Sequence, residues 1–123
     1  MPVAREAKMT KRDEMMSQLL VKAGTPKNLA KALVFIAKRA ETTSVEIEKA
    51  TGLRQPEVSI AMQELRRRRW VEKRDIKKEG KGRPVHSYHL SVPFSEIIET
   101  ICETELDKAK GIEEDVKRLK NLF

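Results

Sequence analysis

Apolar residues recur at helical spacing over the first third of the chain. From Lys11 to Ala23 they lie three and four residues apart, and Gly24 follows them, so the pattern predicts an amphipathic helix that ends at a glycine. A second stripe runs from Leu29 to Ala37 and predicts another helix, which continues to about Arg39. The N-terminal part of the chain is therefore expected to be helical.

Two shorter helices are predicted on either side of Gly52. The first begins at Thr43 or Ser44, since either hydroxyl can cap a helix. Gly52 permits the sharp reversal that follows, because glycine tolerates a positive φ. The second begins near Pro56, a residue that suits a first helical turn. The residues expected to face the core are Val45, Ile47 and Ala50 in the first helix and Val58, Ala61, Met62 and Leu65 in the second.

After Arg69 the pattern changes from helical to extended. Apolar and aromatic residues partly alternate on both sides of the segment E-G-K-G-R-P, which predicts a β-hairpin with a glycine-containing turn. Trp70 directly follows the inward stripe of the preceding helix, so we expect it to anchor the hairpin in the core. The partly alternating positions are Trp70, Val71, Ile76, Val85, Tyr88 and Leu90.

The C-terminal segment from Ser95 to Phe123 carries one long apolar stripe. This stripe predicts a single helix of roughly 40 Å, longer than the small domain that precedes it. Gly111 weakens that helix by about 1 kcal/mol relative to alanine and allows a bend there. The whole pattern is typical of a mainly α-helical chain with a small β-hairpin, an α+β fold class.

The segment T-S-V-E-I-E-K-A-T-G-L-R-Q-P-E-V-S-I-A-M-Q-E-L, from Thr43 to Leu65, resembles the helix-turn-helix of the MarR, ArsR and TrmB-like winged-helix regulators of bacteria and archaea. The similarity extends over about Leu29 to Leu90 and implies a winged helix-turn-helix in which Gln55–Arg68 is the recognition helix. Arg68 and Arg69 stand where many relatives have a glycine before the first wing strand. The helix Gln55–Arg68 contains no cysteine, so the metal site of some ArsR-like sensors has no counterpart here. The sequence is also too short for the sugar-binding domain of long TrmB regulators.

Basic charge is concentrated before the C-terminal segment. The chain has a formal net charge of +7, yet residues 94–123 contain five Lys or Arg and eight Asp or Glu. Residues 1–93 therefore hold 21 basic and 11 acidic residues. This segregation favours a polyanion-binding module joined to a segment that contacts protein. The alternative is that the basic side chains only make the surface soluble.

An exposed helix with amides early and arginines late suits the major groove of duplex DNA. Gln55 and Gln63 each carry a donor and an acceptor, as adenine recognition requires, and a basic hairpin tip can lie along the phosphate backbone. The residues expected to read bases are Arg54, Gln55, Ser59 and Gln63. Those expected to hold phosphates are Ser44, Arg66, Arg67, Lys77, Lys78, Lys81 and Arg83.

The long C-terminal stripe predicts homodimerisation, because a helix that outruns its domain needs another chain to cover its apolar face. The alternative is packing within the chain, against the first helix, through a bend at Gly111. The predicted organisation is a flexible basic arm at 1–10, a DNA-binding domain at 11–93 and a dimerisation helix at 94–123. The expected interface residues are Ile98, Ile101, Cys102, Leu106, Ala109, Ile112, Val116 and Leu119.

Enzymatic activity has no support in the sequence. No glycine-rich nucleotide loop or metal-ligand spacing is present, so neither a cofactor nor a metal is expected. His86 and His89 point to opposite faces of an alternating strand. Cys102 lies on an apolar stripe and is expected to be packed and inert, with a thiol switch across a dimer as the alternative.

The absence of a signal peptide and of a long apolar run favours a cytoplasmic protein without membrane contact.

The sequence thus predicts a double-stranded DNA-binding transcriptional regulator that acts as a homodimer on a near-palindromic operator. It identifies neither the operator nor a small-molecule effector. The first alternative is a winged-helix protein-interaction scaffold of the transcription or RNA-processing machinery, whose mark would be an apolar patch on the recognition face, where only Ile60 qualifies. Binding to structured RNA is a second alternative.

Overall fold

Helices surround a small antiparallel sheet in this computed structural model, which describes residues 8–76 and 85–123. The described part of the chain forms α1 (Lys11–Lys22), α2 (Lys27–Ala37), β1 (Thr42–Thr43), α3 (Ser44–Thr51), α4 (Gln55–Arg67), β2 (Val71–Ile76), β3 (Val85–Leu90) and α5 (Phe94–Leu122). The sheet has the order β1-β3-β2. This architecture confirms the predicted mainly helical winged-helix fold with a long C-terminal helix.

Helix α2 lies at the centre of the core. It packs against α1, α3, α4 and β3, and Leu33 and Ile36 are fully buried. Ala30, Val34 and Phe35 are buried as well, so the helix is covered on more sides than the single stripe predicted. The surrounding elements therefore pack against a largely apolar central helix. Burial of apolar surface of this kind provides most of the hydrophobic stabilisation of a small domain.

Helix α1 ends as predicted, but its faces are not arranged as its apolar pattern suggested. Gly24 has φ of +104° and closes the helix in the left-handed conformation that glycine tolerates. Asp13 and Ser17 are buried while Met15 and Leu19 are exposed. Burial alone raises the pKa of Asp13, but hydrogen bonds from Lys38 and Thr10 outweigh it and lower that pKa. The buried carboxylate is thus satisfied as an anion.

The helix-turn-helix of α3 and α4 forms where the sequence predicted it. Thr43 and Glu46 make a reciprocal capping box at the start of α3. Gly52 ends the helix with φ of +80°, a conformation that glycine tolerates and that allows the chain to turn into α4. Ile47 is fully buried, but the prediction for Val45 was wrong, since its side chain is 52% exposed. Val45 follows the cap by two residues and lies on the outer side of the first turn.

The end of α4 is closed by an arginine instead of a glycine. Arg69 has φ of +65° and is the one non-glycine residue with a positive φ in the described chain. The Trp70 amide donates to the Leu65 carbonyl at 3.1 Å and the Arg69 amide to the Arg66 carbonyl at 2.9 Å, the pattern of a Schellman motif. The Ser91 hydroxyl also donates to the Arg69 carbonyl at 2.7 Å. These bonds hold a backbone conformation that is costly for a residue with a Cβ.

Replacing Arg69 with glycine is expected to stabilise the protein by about 1 kcal/mol, because glycine adopts a positive φ without the Cβ clash. Arg69→Ala is the control, since it removes the same charge and keeps the Cβ. Urea unfolding followed by circular dichroism measures both free energies of unfolding. Equal stability of the two variants would contradict the idea that Arg69 is strained.

The sheet joins the end of α4 to the start of α5. β3 pairs antiparallel with β1, where Thr42 lies opposite Tyr88, and with β2, where Lys73 lies opposite Tyr88. Trp70 is buried in the core as expected, and Tyr88 is buried as well. The two strands that form the hairpin are therefore fixed to the core near the end of α4.

Helix α5 is one continuous helix that passes through Gly111 without a break. It begins at Phe94 with Pro93 as its N-cap. Ile97, which was not singled out in the sequence, is its fully buried residue and attaches the first turn to the core. The packing within the chain that a bend at Gly111 would allow is not observed. The apolar side chains of the second half are exposed.

Candidate nucleic-acid interface

Helix α4 presents one polar flank toward the sheet. Its core-facing residues are Val58, Ala61, Met62 and Leu65. Gln55, Ser59, Gln63 and Arg66 are exposed and line a common concavity of about 200 Å³. The structure thus brings three of the four predicted base-reading residues and one predicted phosphate-binding residue to one side of the same helix.

Residues from two other elements complete this concavity, which we call the α4–sheet cleft. Ser44, predicted from sequence, contributes from the first turn of α3. Lys73, His86 and Tyr88 contribute from β2 and β3. The sequence pattern did not predict Lys73 at this site and gave Tyr88 only as an alternating position of the hairpin, because the placement of both residues beside α4 depends on the strand register. The full lining is Ser44, Gln55, Val58, Ser59, Met62, Gln63, Arg66, Lys73, His86 and Tyr88.

The other flank of α4 is acidic and neutralises part of the arginine run. Glu64 accepts hydrogen bonds from Arg67 at 2.6 and 2.9 Å and from Arg68 at 2.8 Å. Arg68 also lies over the Trp70 ring, 5.1 Å from its centroid, within cation–π range. Arg67 keeps its predicted place near the helix end, but its charge is shared with a carboxylate. Arg66 forms no ion pair with any described residue.

Hydrogen bonds from Arg67 and then Arg68 lower the pKa of Glu64 from 4.5 to about 2. Because the folded-state pKa is depressed, this contribution to stability is complete above about pH 4.5 and is lost as the pH falls toward 2. We therefore expect the difference in stability between the native protein and Glu64→Gln to shrink over that interval. Thermal unfolding at several pH values measures it. The control is Glu113→Gln, which removes an exposed carboxylate without a described ion pair, and a difference that does not change with pH would contradict the assignment.

Arg54 lies at the entrance to α4 as its N-cap residue. Its side chain is exposed and 4.0 Å from the Glu57 carboxylate, while its amide donates to that carboxylate at 2.8 Å. Its guanidinium therefore remains accessible at the helix start. The remaining predicted phosphate contacts, Lys77, Lys78, Lys81 and Arg83, lie outside the described residues.

The predicted dimerisation residues form an exposed stripe on α5. Ile98, Leu106, Ile112, Val116 and Leu119 are exposed apolar side chains, and Cys102 and Ala109 are exposed too. Ile101 is half-buried. Near its start the stripe borders an open apolar groove of about 510 Å³ between α1 and α5. Cys102 lines that groove and is exposed in the single chain, so its predicted packing requires a second chain.

Both histidines contact carboxylates across the hairpin. His86 Nδ1 lies 2.8 Å from Asp75 and His89 Nε2 lies 3.1 Å from Glu72. Across the described residues, no cluster of three or more His, Cys, Asp or Glu side chains is arranged to hold a metal. Nor does any helix in residues 8–76 or 85–123 have the length and apolarity to cross a membrane.

The comparisons with known proteins agree with this fold. A protein-family model described as the MarR family matches residues 30–82, whereas comparison with curated proteins finds no match. The structure of TrmBL2, an archaeal chromatin protein, has a TM-score of 0.65 and 17% identity, over 89% of this chain and 39% of that one. This chain therefore spans well under half of the TrmBL2 chain.

Two shorter regulators have similar structures over most of their length. A possible transcriptional regulator from Methanosarcina mazei has a TM-score of 0.60 at 13% identity, over 81% of this chain and 83% of that one. MepR, which regulates a multidrug efflux pump of Staphylococcus aureus, has a TM-score of 0.52 at 15% identity, over 89% and 84%. The chain is therefore a winged-helix protein that resembles the MarR and TrmB-type transcription regulators, and its residues 30–82 match the MarR family.

Proposed function

We propose that this protein is a transcriptional regulator that binds double-stranded DNA as a homodimer on a near-palindromic operator. In this proposal the helix-turn-helix and hairpin within residues 11–93 bind the DNA, and residues 94–123 hold two copies together. Residues 1–7 of the basic arm predicted at 1–10 lie outside the described residues. The proposal needs no cofactor and no catalytic residue.

The observation that supports DNA binding most directly is the polar flank of α4. Gln55, Ser59 and Gln63 lie one turn apart on an exposed helix face, with Arg66 at its C-terminal end. A glutamine amide carries one donor and one acceptor, which complement the acceptor and the donor of adenine in the major groove. Arginine binds guanine or a phosphate. Hydrogen-bonding groups at four positions, each about one helical turn from the next, match the way in which a recognition helix reads adjacent base pairs.

The proposed dimer rests on the exposed stripe of α5. Ile112 and Leu119 are 64% and 66% exposed, and an apolar surface of this extent on a helix favours burial against another chain. The groove between α1 and α5 lies along the same stripe. A two-fold dimer would present two α4 helices to half-sites one helical turn apart, about 34–36 Å, or a multiple of it.

Selection of fragments of the source genome by the purified protein tests the proposal. We expect enrichment of near-palindromic sites, which a mobility-shift titration then binds in the nanomolar range. Gln63→Ala should change the preference at one base pair of each half-site by about 5- to 100-fold. Lys81→Ala should instead weaken binding to all sequences and flatten its salt dependence. No binding to any duplex at low salt would remove the proposal.

One observation favours a second candidate, a protein-interaction scaffold. Ile60 is 67% exposed on α4 and borders a groove of about 440 Å³ between α4 and the start of α2. Glu57 and Glu64 flank it, and their charge disfavours contact of this flank with DNA. Competition between duplex DNA and duplex RNA, together with the Ile60→Ser variant, separates the candidates. If Ile60→Ser still binds duplex DNA in preference to duplex RNA, the regulator is supported. If the protein is folded and has no affinity for either nucleic acid, the scaffold is supported.

A further inference from the structure

The α4–sheet cleft carries two cationic side chains, Arg66 and Lys73, and no carboxylate belongs to its lining. His86 lines the cleft as well and is paired with Asp75 at the edge of the hairpin. The described chain has no carboxylate within 4.0 Å of the charged nitrogens of Arg66 or Lys73. Cations that line one concavity repel each other, and an anion bound between them relieves that repulsion.

The arginines just outside the cleft have the opposite arrangement. Arg67 and Arg68 are both held by Glu64, so one carboxylate offsets charge on the outer side of α4. The fold therefore leaves positive charge uncompensated on the side of the helix that faces the sheet. This contrast between neighbouring residues of one arginine run is not visible in the net charge of the chain.

The strand pairing fixes the other groups of the cleft. Lys73 on β2 lies directly opposite Tyr88 on β3, and His86 precedes Tyr88 by two residues, on the same face of the strand. Asp75 contacts Nδ1 of His86 at 2.8 Å and so sets the orientation of the ring. The Tyr88 hydroxyl is protonated at neutral pH, and burial raises its pKa further, so it can act as a donor. A volume of about 200 Å³ is several times the roughly 30 Å³ that one water occupies in the liquid.

We propose that the α4–sheet cleft binds one phosphate group, a backbone phosphodiester of duplex DNA, between Arg66 on the recognition helix and Lys73, His86 and Tyr88 on the sheet. This inference rests on the proposed DNA-binding function and adds three residues to its interface. A phosphate bound there lies beside Gln55, Ser59 and Gln63, which line the same cleft. It therefore fixes the position of those side chains along the groove, as backbone contacts do in protein–DNA recognition.

The salt dependence of DNA binding tests the inference with the full-length protein. Each phosphate contact contributes about 0.9 to the slope of log affinity against log salt concentration. Lys73→Gln removes one contact from each protomer, so it should reduce the magnitude of that slope by roughly 1.8 for a homodimer on a generic 30-base-pair duplex. Lys22→Gln is the matched control, because it removes one exposed lysine of α1 that does not line the cleft. Tyr88→Phe, which keeps the buried ring, should weaken binding about tenfold through loss of one hydrogen bond to a charged group.

Neutral methylphosphonate linkages identify the phosphate involved. On an operator duplex, one such linkage in each half-site should weaken binding by the native protein and have little further effect on Lys73→Gln. If the native protein binds DNA but Lys73→Gln has the same slope as Lys22→Gln, the inference is wrong while the proposed function stands. If the native protein binds no duplex, the proposed function fails instead.

A free anion is the other source of the same chemistry. Titration with pyrophosphate, followed by the amide NMR signals of Lys73 and Tyr88, tests it directly. Shifts that compete with duplex DNA and vanish in Lys73→Gln support a DNA phosphate in the cleft. Shifts of the same signals without any change in DNA affinity would overturn the assignment to the DNA backbone.

Discussion

Replacing both Ile112 and Leu119 with glutamine is expected to leave the protein monomeric and to weaken its binding to a two-half-site duplex by at least 100-fold. The two side chains lie two turns apart on the exposed stripe of α5. A dimer buries four of them, and each contributes about 1.5–3 kcal/mol when fully buried. Loss of roughly 6 kcal/mol reduces the dimerisation constant about 10⁴-fold.

The effect on DNA follows from the linkage between the two half-sites. A dimer engages the second half-site at a high effective concentration, which commonly raises overall affinity by 10²–10⁴-fold. Binding to a duplex with a single half-site should therefore change little in the double variant. Sedimentation velocity measures the oligomeric state, and fluorescence anisotropy with the two duplexes measures affinity.

Glu114→Gln combined with Arg118→Gln is the matched control. It introduces the same residue type at two positions one turn apart on the opposite face of α5, and it leaves the net charge unchanged. We expect this control to remain dimeric. A native protein that sediments as a monomer at micromolar concentration would contradict the proposed interface, as would a dimer that persists in Ile112→Gln with Leu119→Gln.

The helices and their ends were largely predictable because their signals are local. Gly24 and Gly52 both adopt the positive φ expected of them, and the capping box at Thr43 follows from two residues three positions apart. Helix α5 continued through Gly111 because the loss of about 1 kcal/mol at one glycine is small beside a helix of 29 residues. Periodicity determines where such elements lie.

Apolar periodicity did not show which partner covers a face. Met15 and Leu19 belong to the apolar stripe of the first helix, yet they are exposed while Asp13 is buried. A carboxylate is acceptable there because Lys38, 25 positions away, donates to it at 2.8 Å. The stripe of α1 borders the groove with α5. An apolar stripe of this kind can be covered by the same chain or by another chain, and only the tertiary arrangement distinguishes these cases.

The candidate site was predictable on the helix and not on the sheet. The outward positions of α4 follow from helical spacing, which placed Gln55, Ser59 and Gln63 together. Lys73 and Tyr88 reach the same cleft through their pairing in the hairpin, and strand register depends on the length and geometry of the turn. One missed signal was local, because Glu64 precedes Arg67 and Arg68 by three and four residues, the spacing of helical ion pairs.

Leu65→Ala is expected to destabilise the protein by about 2–5 kcal/mol, the usual cost of removing a buried leucine side chain. Leu65 is 0% exposed, and its carbonyl accepts the Trp70 amide that closes α4. A loss of this size is a large fraction of the 5–15 kcal/mol typical of a small protein. Urea unfolding measures it directly.

The matched control is Ile60→Ala on the same helix. Its side chain is 67% exposed, so its truncation should change stability by no more than about 0.5 kcal/mol. Because the packing of Leu65 positions both α4 and the first strand of the hairpin, Leu65→Ala should also weaken DNA binding under conditions where most molecules remain folded. Ile60→Ala should leave DNA affinity within about threefold of the native value. Equal destabilisation by the two substitutions would contradict the assigned orientation of α4, and with it the flank proposed to read DNA.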